Sequence, residues 1–348
     1  MAARAAQPIN MQKNTGSILI LALWSLAVLA ALALNLGLGV RQKITLIARL
    51  EERVKLRLLT EAGIKKAVGL LTMDQSLNSF FSAPAKSFLE NNELEFKEIA
   101  LAGGHAEVSY EYEDGLTGQV SRRFGVMDEE GKLNLNTASV DMLKILLKNV
   151  FNWDETRAAA LAESVVDWRE FGEMELSGFY SDGYYENLKD PYPKKNAPFD
   201  LPDELLLIQG MDGQLYERLL NYVTIYGEGR VNINTASRPV LLALGIEDEL
   251  VNKILTVRRG PDGVEATKDD YVFQRTYDVA GELKALTGLK DSETARLDRL
   301  NQANLLDTNS RFYSMNAYGR FDQKNSRGRI RCVFNVAQKK VVYWREES

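Results

Sequence analysis

The clearest pattern along the chain is an apolar run over residues 18–40, broken only by Ser25, Asn35 and two glycines. About 20 apolar residues span a bilayer as a helix. Beyond Arg41 the helical period continues, with apolar residues on one stripe and charged residues elsewhere. The pattern predicts one helix that leaves the membrane and runs to about Leu71. The stripe consists of Ile44, Ile47, Leu50, Val54 and Leu58.

Apolar and polar residues alternate, as in half-buried strands, in two regions beyond this helix. The first region contains turn signals at Gly103-Gly104 and Asp114-Gly115, and the second begins after Arg311. Between the two regions, residues 136–305 favour short helices. The predicted strands are residues 93–100, 106–112, 118–126, 312–318, 329–336 and 340–344.

The pair Gly16-Ser17 lies in front of the apolar run, with Lys13 upstream of it. Secretory signals are cleaved after their apolar region, whereas a cut after Gly16 leaves the apolar segment as the new N-terminus. The segment therefore resembles type IV pilins and the pseudopilins of type II secretion. This resemblance implies cleavage between Gly16 and Ser17 by a prepilin peptidase. A plain N-terminal anchor is the alternative, and Met1 and Met11 are both candidate starts.

We therefore predict an α+β fold in which a transmembrane and stalk helix carries a pilin-like antiparallel sheet, interrupted by a large all-α insertion. The predicted parts are a leader at 1–16, a transmembrane helix at 17–40, a periplasmic stalk helix at 41–75, a discontinuous pilin-like α/β domain at 76–133 and 306–348, and an inserted helical domain at 134–305.

An internal repeat lies inside the predicted insertion. Residues 133–139 read Leu-Asn-Leu-Asn-Thr-Ala-Ser, and residues 231–237 read Val-Asn-Ile-Asn-Thr-Ala-Ser. An apolar helical pattern follows each copy, so we expect an Asn or Thr side chain to cap the next helix. Two repeats near 134–170 and 232–260 resemble helix-hairpin-helix or SAM-like units.

The resemblance to helix-hairpin-helix units raises an alternative function, that of a membrane-tethered DNA-binding protein of the competence type. Such hairpins bring glycine backbone N–H groups close to phosphates. The first hairpin, residues 149–154, has no glycine, and the second, residues 244–249, has one glycine followed by three acids within its last four residues. The net charge is −5, without the basic surplus that phosphate binding requires. We therefore expect no nucleic-acid partner.

The composition limits catalytic chemistry. The chain has one histidine, His105, and one cysteine, Cys332. His105 alone cannot supply a Ser-His-Asp triad or a histidine-rich zinc site, and Cys332 has no partner for an internal disulfide. We expect His105 on the surface of a strand and Cys332 buried as a small hydrophobe. No catalytic constellation is predicted, and the chain is not expected to be an enzyme.

Several motifs follow one another along the chain in a specific order. They are Gly16-Ser17 with Ala22-Leu-Trp24, residues 133–138, Asp167-Trp168, Tyr184-Tyr185, residues 195–199, Asp203-Glu-Leu205, Ala317-Tyr-Gly319 and Tyr343-Trp-Arg-Glu346. Their order resembles that of the minor pseudopilin K family of type II secretion systems. The resemblance implies a subunit in the bacterial inner membrane, single-pass and mostly periplasmic, that caps a short pseudopilus with the I and J minor pseudopilins and supports export of folded proteins.

Calcium is the one candidate cofactor, since hard oxygen ligands are the only metal chemistry that the composition allows. The resemblance implies a site around Asp167, Glu170 and Glu173, although Arg169 and Glu170 stand where the family pattern has more aspartates. A second candidate is the loop with Asp262, Asp269 and Asp270. A solvated acidic loop is the alternative for both.

Leu21 is the fifth residue counted from Ser17. Pilin-like subunits resemble one another in carrying a glutamate there, which is thought to meet the N-terminal amine of a neighbouring subunit, because a lone charge in the bilayer is costly. Leu21 cannot form that pair. Its identity and the bulk of the insertion predict a position at the tip, in about one copy.

Overall fold

The computed structural model describes residues 15–75, 89–101, 103–170, 183–322 and 326–347. The chain divides into two compact units, residues 1–55 and 56–348. The first unit contains the start of helix α1 (Thr15–Gln75), whose side chains from Ile18 to Lys55 are almost all exposed. The stretch Ile18–Met73 is long and apolar enough to cross a membrane, and its most apolar part is not buried within the chain. The predicted helix therefore extends slightly beyond Leu71.

The second unit is built on an antiparallel sheet. The strand order is β1-β2-β9-β10-β11, with β3 paired to β2 and β4 paired to β9. Five of the six predicted strands are confirmed, within a few residues at their ends. The strands are β1 (Ile99–Leu101), β2 (Gly104–Glu113), β3 (Val120–Phe124), β4 (Met127–Asp128), β9 (Phe312–Phe321), β10 (Arg327–Asn335) and β11 (Lys340–Glu347).

The predicted strand at 93–100 is wrong over its first half. Residues Glu93–Phe96 form a short helix, α2, because the Asn92 side chain accepts the backbone N–H of Glu95 and caps that turn. Only Ile99–Leu101 joins the sheet. A helix cap of this kind outweighs an alternation of apolar and polar residues that is only four residues long.

The last turns of α1 pack on one face of the sheet. Ile64, Ala67 and Leu71 are buried there against an apolar cluster from strands at both ends of the chain. The helix comes close because Gly319 and Gly328 face Thr60, and a Cβ atom at Gly328 would lie 2.9 Å from Thr60 Oγ1. We refer to the sheet with residues 56–75 of α1 as the sheet domain.

Residues 133–307 lie between β4 and β9 in the sequence, and those of them that the structure describes form a second apolar core. We call this part the repeat domain. Its elements are β5 (Leu133–Asn134), α3 (Val140–Phe151), α4 (Glu155–Arg169), α5 (Gly183–Glu186), a 3₁₀ helix (Pro202–Leu207), α6 (Gly213–Leu219), β6 (Val223–Thr224), β7 (Val231–Asn232), α7 (Arg238–Ala243), α8 (Asp248–Arg258), α9 (Val279–Thr287), α10 (Asp291–Gln302) and β8 (Leu306–Asp307).

The prediction of an all-α insertion is wrong in one respect. Each repeat opens and closes with a two-residue strand, and the two strands pair in parallel: Leu133 lies opposite Val223, and Val231 lies opposite Leu306. The repeats therefore extend over residues 133–224 and 231–307, well beyond the predicted limits. Strands of two residues leave no periodic signal, so the closing strands could not be recognised from the sequence.

Candidate functional site

The two Asn-x-Asn-Thr-Ala-Ser segments form tight turns at the start of each repeat. Asn134 Oδ1 accepts the N–H of Asn136 at 2.8 Å, and Asn232 Oδ1 accepts the N–H of Asn234 at 3.0 Å. The asparagines therefore stabilise the turn rather than the next helix. Helix α3 is capped by Ser139, whose Oγ accepts the N–H of Met142. The expectation that Asn or Thr caps the helix is thus wrong.

The second asparagine of each turn binds a distant backbone segment. Asn234 accepts the N–H of Phe273 at 2.8 Å and donates to its carbonyl at 2.9 Å. The Asn136 side chain does the same with Phe199. An arginine on the second helix completes each turn, and it is partly buried in the first repeat and fully buried in the second. Arg169 donates to the carbonyls of residues 135 and 138, and Arg258 donates to those of residues 233 and 236.

The two repeats contact each other reciprocally. Gly131, in front of the first repeat, packs on Thr235 of the second, where an added Cβ atom would lie 2.5 Å from Thr235 Oγ1. Gly229, in front of the second repeat, has a φ of +86° and packs in the same way on Thr137 of the first. The same pattern, Glu-Gly-basic-apolar-Asn, leads into each repeat, at residues 130–134 and 228–232. The predicted repeat omitted the leading Glu, Gly and basic residues.

Two crossings, residues 128–131 and 308–312, connect the repeat domain to the sheet domain, and we call them the neck. Glu129 N–H donates to the Phe312 carbonyl at 2.9 Å, and Arg311 N–H donates to the Glu130 carboxylate. Asp128 is buried, and its Oδ2 accepts three hydrogen bonds, from Asn232 Nδ2, Thr235 Oγ1 and Ser310 Oγ. Burial raises the pKa of Asp128 to about 6.

A cleft of about 830 Å³ lies between the sheet domain and the repeat domain. Aromatic rings and charged side chains of both domains line it, and most of the charged groups are engaged with each other. Six tyrosines contribute to its walls: Tyr110, Tyr112, Tyr222, Tyr226, Tyr318 and Tyr343.

The predicted processing and assembly residues lie in α1. Gly16 and Ser17 are in its first turn. Leu21 is 72% exposed within residues 1–55. Cleavage and the assembly role of Leu21 stay predictions.

Two residues of the first candidate calcium set, Asp167 and Glu170, lie within the described residues. Asp167 is buried and accepts a hydrogen bond from Lys194 Nζ at 2.8 Å, which engages its carboxylate in an internal ion pair. Glu170 lies beside Arg169, and Glu173 lies outside the described residues.

The second candidate loop is organised by its own backbone. Asp262 Oδ1 accepts the N–H of Val264 at 2.7 Å, and Asp269 Oδ2 accepts the N–H of Asp262 at 3.0 Å. The Thr267 hydroxyl donates to Asp269 and lowers the pKa of that carboxyl. Asp270 is buried and accepts the N–H of Ala266 at 2.9 Å. Within the described ranges, no three His, Cys, Asp or Glu side chains are grouped to hold a metal ion. Calcium binding stays a prediction.

His105 and Cys332 occupy different environments. His105 is only partly buried on β2, and its Nδ1 lies 2.9 Å from Asp322. Cys332 is fully buried on β10, where burial raises the pKa of its thiol to about 12. The prediction of a buried, small hydrophobe at Cys332 is confirmed, and a thiol with this pKa is unreactive at neutral pH.

Comparisons with known proteins agree on one family. Residues 125–228 match the family model of the Type II secretion system (T2SS), protein K. The chain is 30% identical over 148 residues to the Type II secretion system protein K of Pectobacterium carotovorum subsp. carotovorum, which covers 38% of this chain and 44% of that protein. It is 34% identical over 109 residues to the protein K of Klebsiella pneumoniae, covering 30% and 33% respectively. The chain thus spans less than half the length of the curated relatives it matches.

A solved structure is similar over most of the chain. It is a chain of the GspK-GspI-GspJ complex from the enterotoxigenic Escherichia coli Type 2 Secretion System, with a TM-score of 0.59 and 16% identity, and the match covers 86% of this chain and 98% of that one. The likeness confirms the mixed α/β fold with a long apolar N-terminal helix and an antiparallel sheet. Together with the family match, it confirms the predicted resemblance to protein K.

Proposed function

We propose that this chain, whose resemblance to protein K of type II secretion systems is confirmed, is a minor pseudopilin that caps a periplasmic pseudopilus and supports export of folded proteins. The observation that carries the proposal is the coverage of 98% of a chain from the GspK-GspI-GspJ complex. Its partners are then the I and J minor pseudopilins. The apolar part of α1 anchors it in the inner membrane after cleavage by prepilin peptidase, with the bulk of the chain in the periplasm.

Two features support the tip position. Leu21 presents an apolar side chain where a carboxylate would be needed to pair with a neighbouring N-terminus. The repeat domain adds 175 residues, from 133 to 307, between two strands of the sheet. A subunit with this insertion is too bulky to repeat within a thin shaft. The chain should therefore occur once per pseudopilus and should not assemble with itself.

Quantitative mass spectrometry of purified pseudopili tests this proposal. The chain should be present in equal amounts with the I and J subunits and far below the major pseudopilin. As a control, Leu21→Ala leaves no charge unpaired and should keep that stoichiometry. Presence at the level of the major pseudopilin, along the shaft, would show that the tip assignment is wrong.

The structure of the hairpin between α7 and α8 disfavours the DNA-binding alternative. The Gly245 N–H donates to the Leu242 carbonyl at 2.8 Å, and the Ile246 N–H donates to the Leu241 carbonyl. The Arg296 guanidinium lies against Gly245 and donates to the Leu244 carbonyl at 2.6 Å. These N–H groups are used within the chain and do not face a phosphate. Retention of duplex DNA by the purified protein at physiological salt would favour the alternative.

A further inference from the structure

The sheet domain and the repeat domain have separate apolar cores. One cluster of buried hydrophobic side chains contains residues between 133 and 306, and the other contains residues between 64 and 126 and between 313 and 336. Outside the neck, the hydrogen bonds and ion pairs between the domains in the described ranges involve charged side chains. Within the described ranges the two domains therefore share no apolar core, and polar pairs supply much of the contact between them.

One set of these pairs joins the first repeat to β10 and β11, and we call it the first latch. Asp203 of the 3₁₀ helix accepts a hydrogen bond from the Tyr343 hydroxyl at 2.8 Å and pairs with Arg345. Glu217 of α6 pairs with Arg331 Nη2 at 2.8 Å. Arg345 and Asp203 are each about one-third exposed, so water competes for this contact.

A second set joins the second repeat to the hairpin of β2 and β3, and we call it the second latch. Arg259 Nη2 lies 2.5 Å from Asp114 Oδ1. The Glu265 carboxylate accepts a hydrogen bond from Tyr112, and Arg123 lies over the Tyr112 ring at 3.2 Å from its centroid. The side chains of this latch are more buried than those of the first.

The latches and the neck surround the cleft of about 830 Å³. The neck is the covalent link between the domains, and its two crossings are hydrogen-bonded to each other through Glu129 and Phe312. Short segments that absorb a rotation between two packed bodies are hinges. Polar latches on the two sides of a hinge stabilise one orientation of the domains. A second orientation can still become populated when the latches are weakened.

We propose that the repeat domain is a hinged body that rotates about the neck when the latches release, opening the tyrosine-lined cleft. The closed arrangement is the one described above. In the open arrangement the Asp203–Arg345 and Asp114–Arg259 pairs are broken, while the neck contacts and both apolar cores persist. The proposed motion takes place within the chain, and it does not depend on the position of the subunit in a pseudopilus.

Distance measurements between spin labels test the proposal on the full chain in lipid nanodiscs. In a Cys332→Ala background, Gln338→Cys labels the turn after β10 and Asp291→Cys labels α10. Both positions are exposed. The double variant Arg259→Met and Arg345→Met removes one ion pair from each latch but keeps side-chain volume. The fraction of molecules at the longer distance should rise at least roughly five-fold, as expected when one ion pair in each latch is lost.

The matched control is Lys97→Ala, which removes an exposed ion pair with Glu93, and neither of these residues lines the cleft. It should leave the distance distribution unchanged. Should the double variant not fold, Tyr343→Phe and 1 M salt on the unmodified latches provide milder releases, and both should raise the longer-distance fraction. A distribution that is unchanged by latch variants and by salt, or that shifts equally with Lys97→Ala, overturns the proposal.

Discussion

The side chain of Asn136 and the backbone of Phe199 exchange two hydrogen bonds. Nδ2 donates to the Phe199 carbonyl at 3.1 Å, and Oδ1 accepts the Phe199 N–H at 2.7 Å. The equivalent pair in the second repeat is Asn234 with Phe273. One asparagine thus ties the opening turn of each repeat to a segment at least 39 residues away along the chain. This explains why the motif occurs twice with both asparagines retained.

Replacing Asn136 with Ala should lower the free energy of unfolding by about 1 to 3 kcal/mol, because it leaves the Phe199 N–H and carbonyl without partners. Asn149→Ala is the control, since Asn149 is exposed on α3, the helix that follows this turn, and its side chain donates to the Ile145 carbonyl one turn back. That change should stay within about 0.5 kcal/mol. Urea unfolding measures both. Equal losses would contradict the role assigned to Asn136.

Replacing Gly131 with Ala should also destabilise the fold, by about 1 to 3 kcal/mol, since the new methyl group meets Thr235 of the other repeat. Gly281 in α9 offers a matched control because no neighbouring atom lies within 4 Å of an added Cβ atom. Gly281→Ala should be neutral or stabilising by up to about 1 kcal/mol. Thermal unfolding measures the stability of both variants against the unmodified protein. A harmless Gly131→Ala would show that the repeats do not pack this closely.

Asp128 should make stability depend on pH between about 4 and 6. Its pKa is about 6 in the folded chain and 3.8 when unperturbed, so the folded state binds a proton before the unfolded state does. The free energy of unfolding therefore rises as the pH falls through this window and decreases again as the pH rises. The change is about 2 to 3 kcal/mol at most. Asp128→Asn should flatten that part of the curve. The test compares melting temperatures of both proteins from pH 4 to 6.5, and equal slopes would exclude Asp128 as the cause.

If the loop around Asp262 and Asp269 binds calcium, the ion links two carboxylates that otherwise repel, and chelation should lower the melting temperature. Replacing both with Asn keeps their hydrogen-bond acceptors but removes the charges, so the dependence on calcium should disappear. Asp270 is left unchanged because its buried carboxylate already accepts backbone N–H groups. A melting curve indifferent to chelator in the unmodified protein would count against a structural calcium site.

Cleavage should occur between Gly16 and Ser17, so that the mature protein begins Ser-Ile-Leu-Ile-Leu. N-terminal sequencing of protein from cells with an active prepilin peptidase measures this directly. Gly16→Leu should block processing, because a side chain then precedes the cut, whereas Thr15→Ser should leave it intact. A mature form that still carries Lys13 would rule out this processing.

Much of the local structure follows from the sequence. The helix from Thr15 and the strands around β2, β9 and β10 are long and strongly periodic, and hydrophobic period alone predicts them. The helix at Glu93–Phe96 was not predicted, because its Asn92 cap is a single side-chain contact. The candidate calcium residues around Asp167 follow from the family resemblance. The sequence around Asp167 gives no sign of its ion-pair partner Lys194, which is 27 residues away.

The sequence predicts an apolar helix able to cross a membrane and a sheet made from strands on both sides of a duplicated helical insertion. These predictions depend on periods of 2 and 3.6 residues and on two near-identical motifs, which are local along the chain. The tertiary structure adds the contacts of Asn136 with Phe199 and of Gly131 with Thr235, and the burial of Asp128 in the neck. Each of these contacts joins positions far apart in sequence. Burial, close approach and the resulting pKa depend on packing that no local pattern encodes.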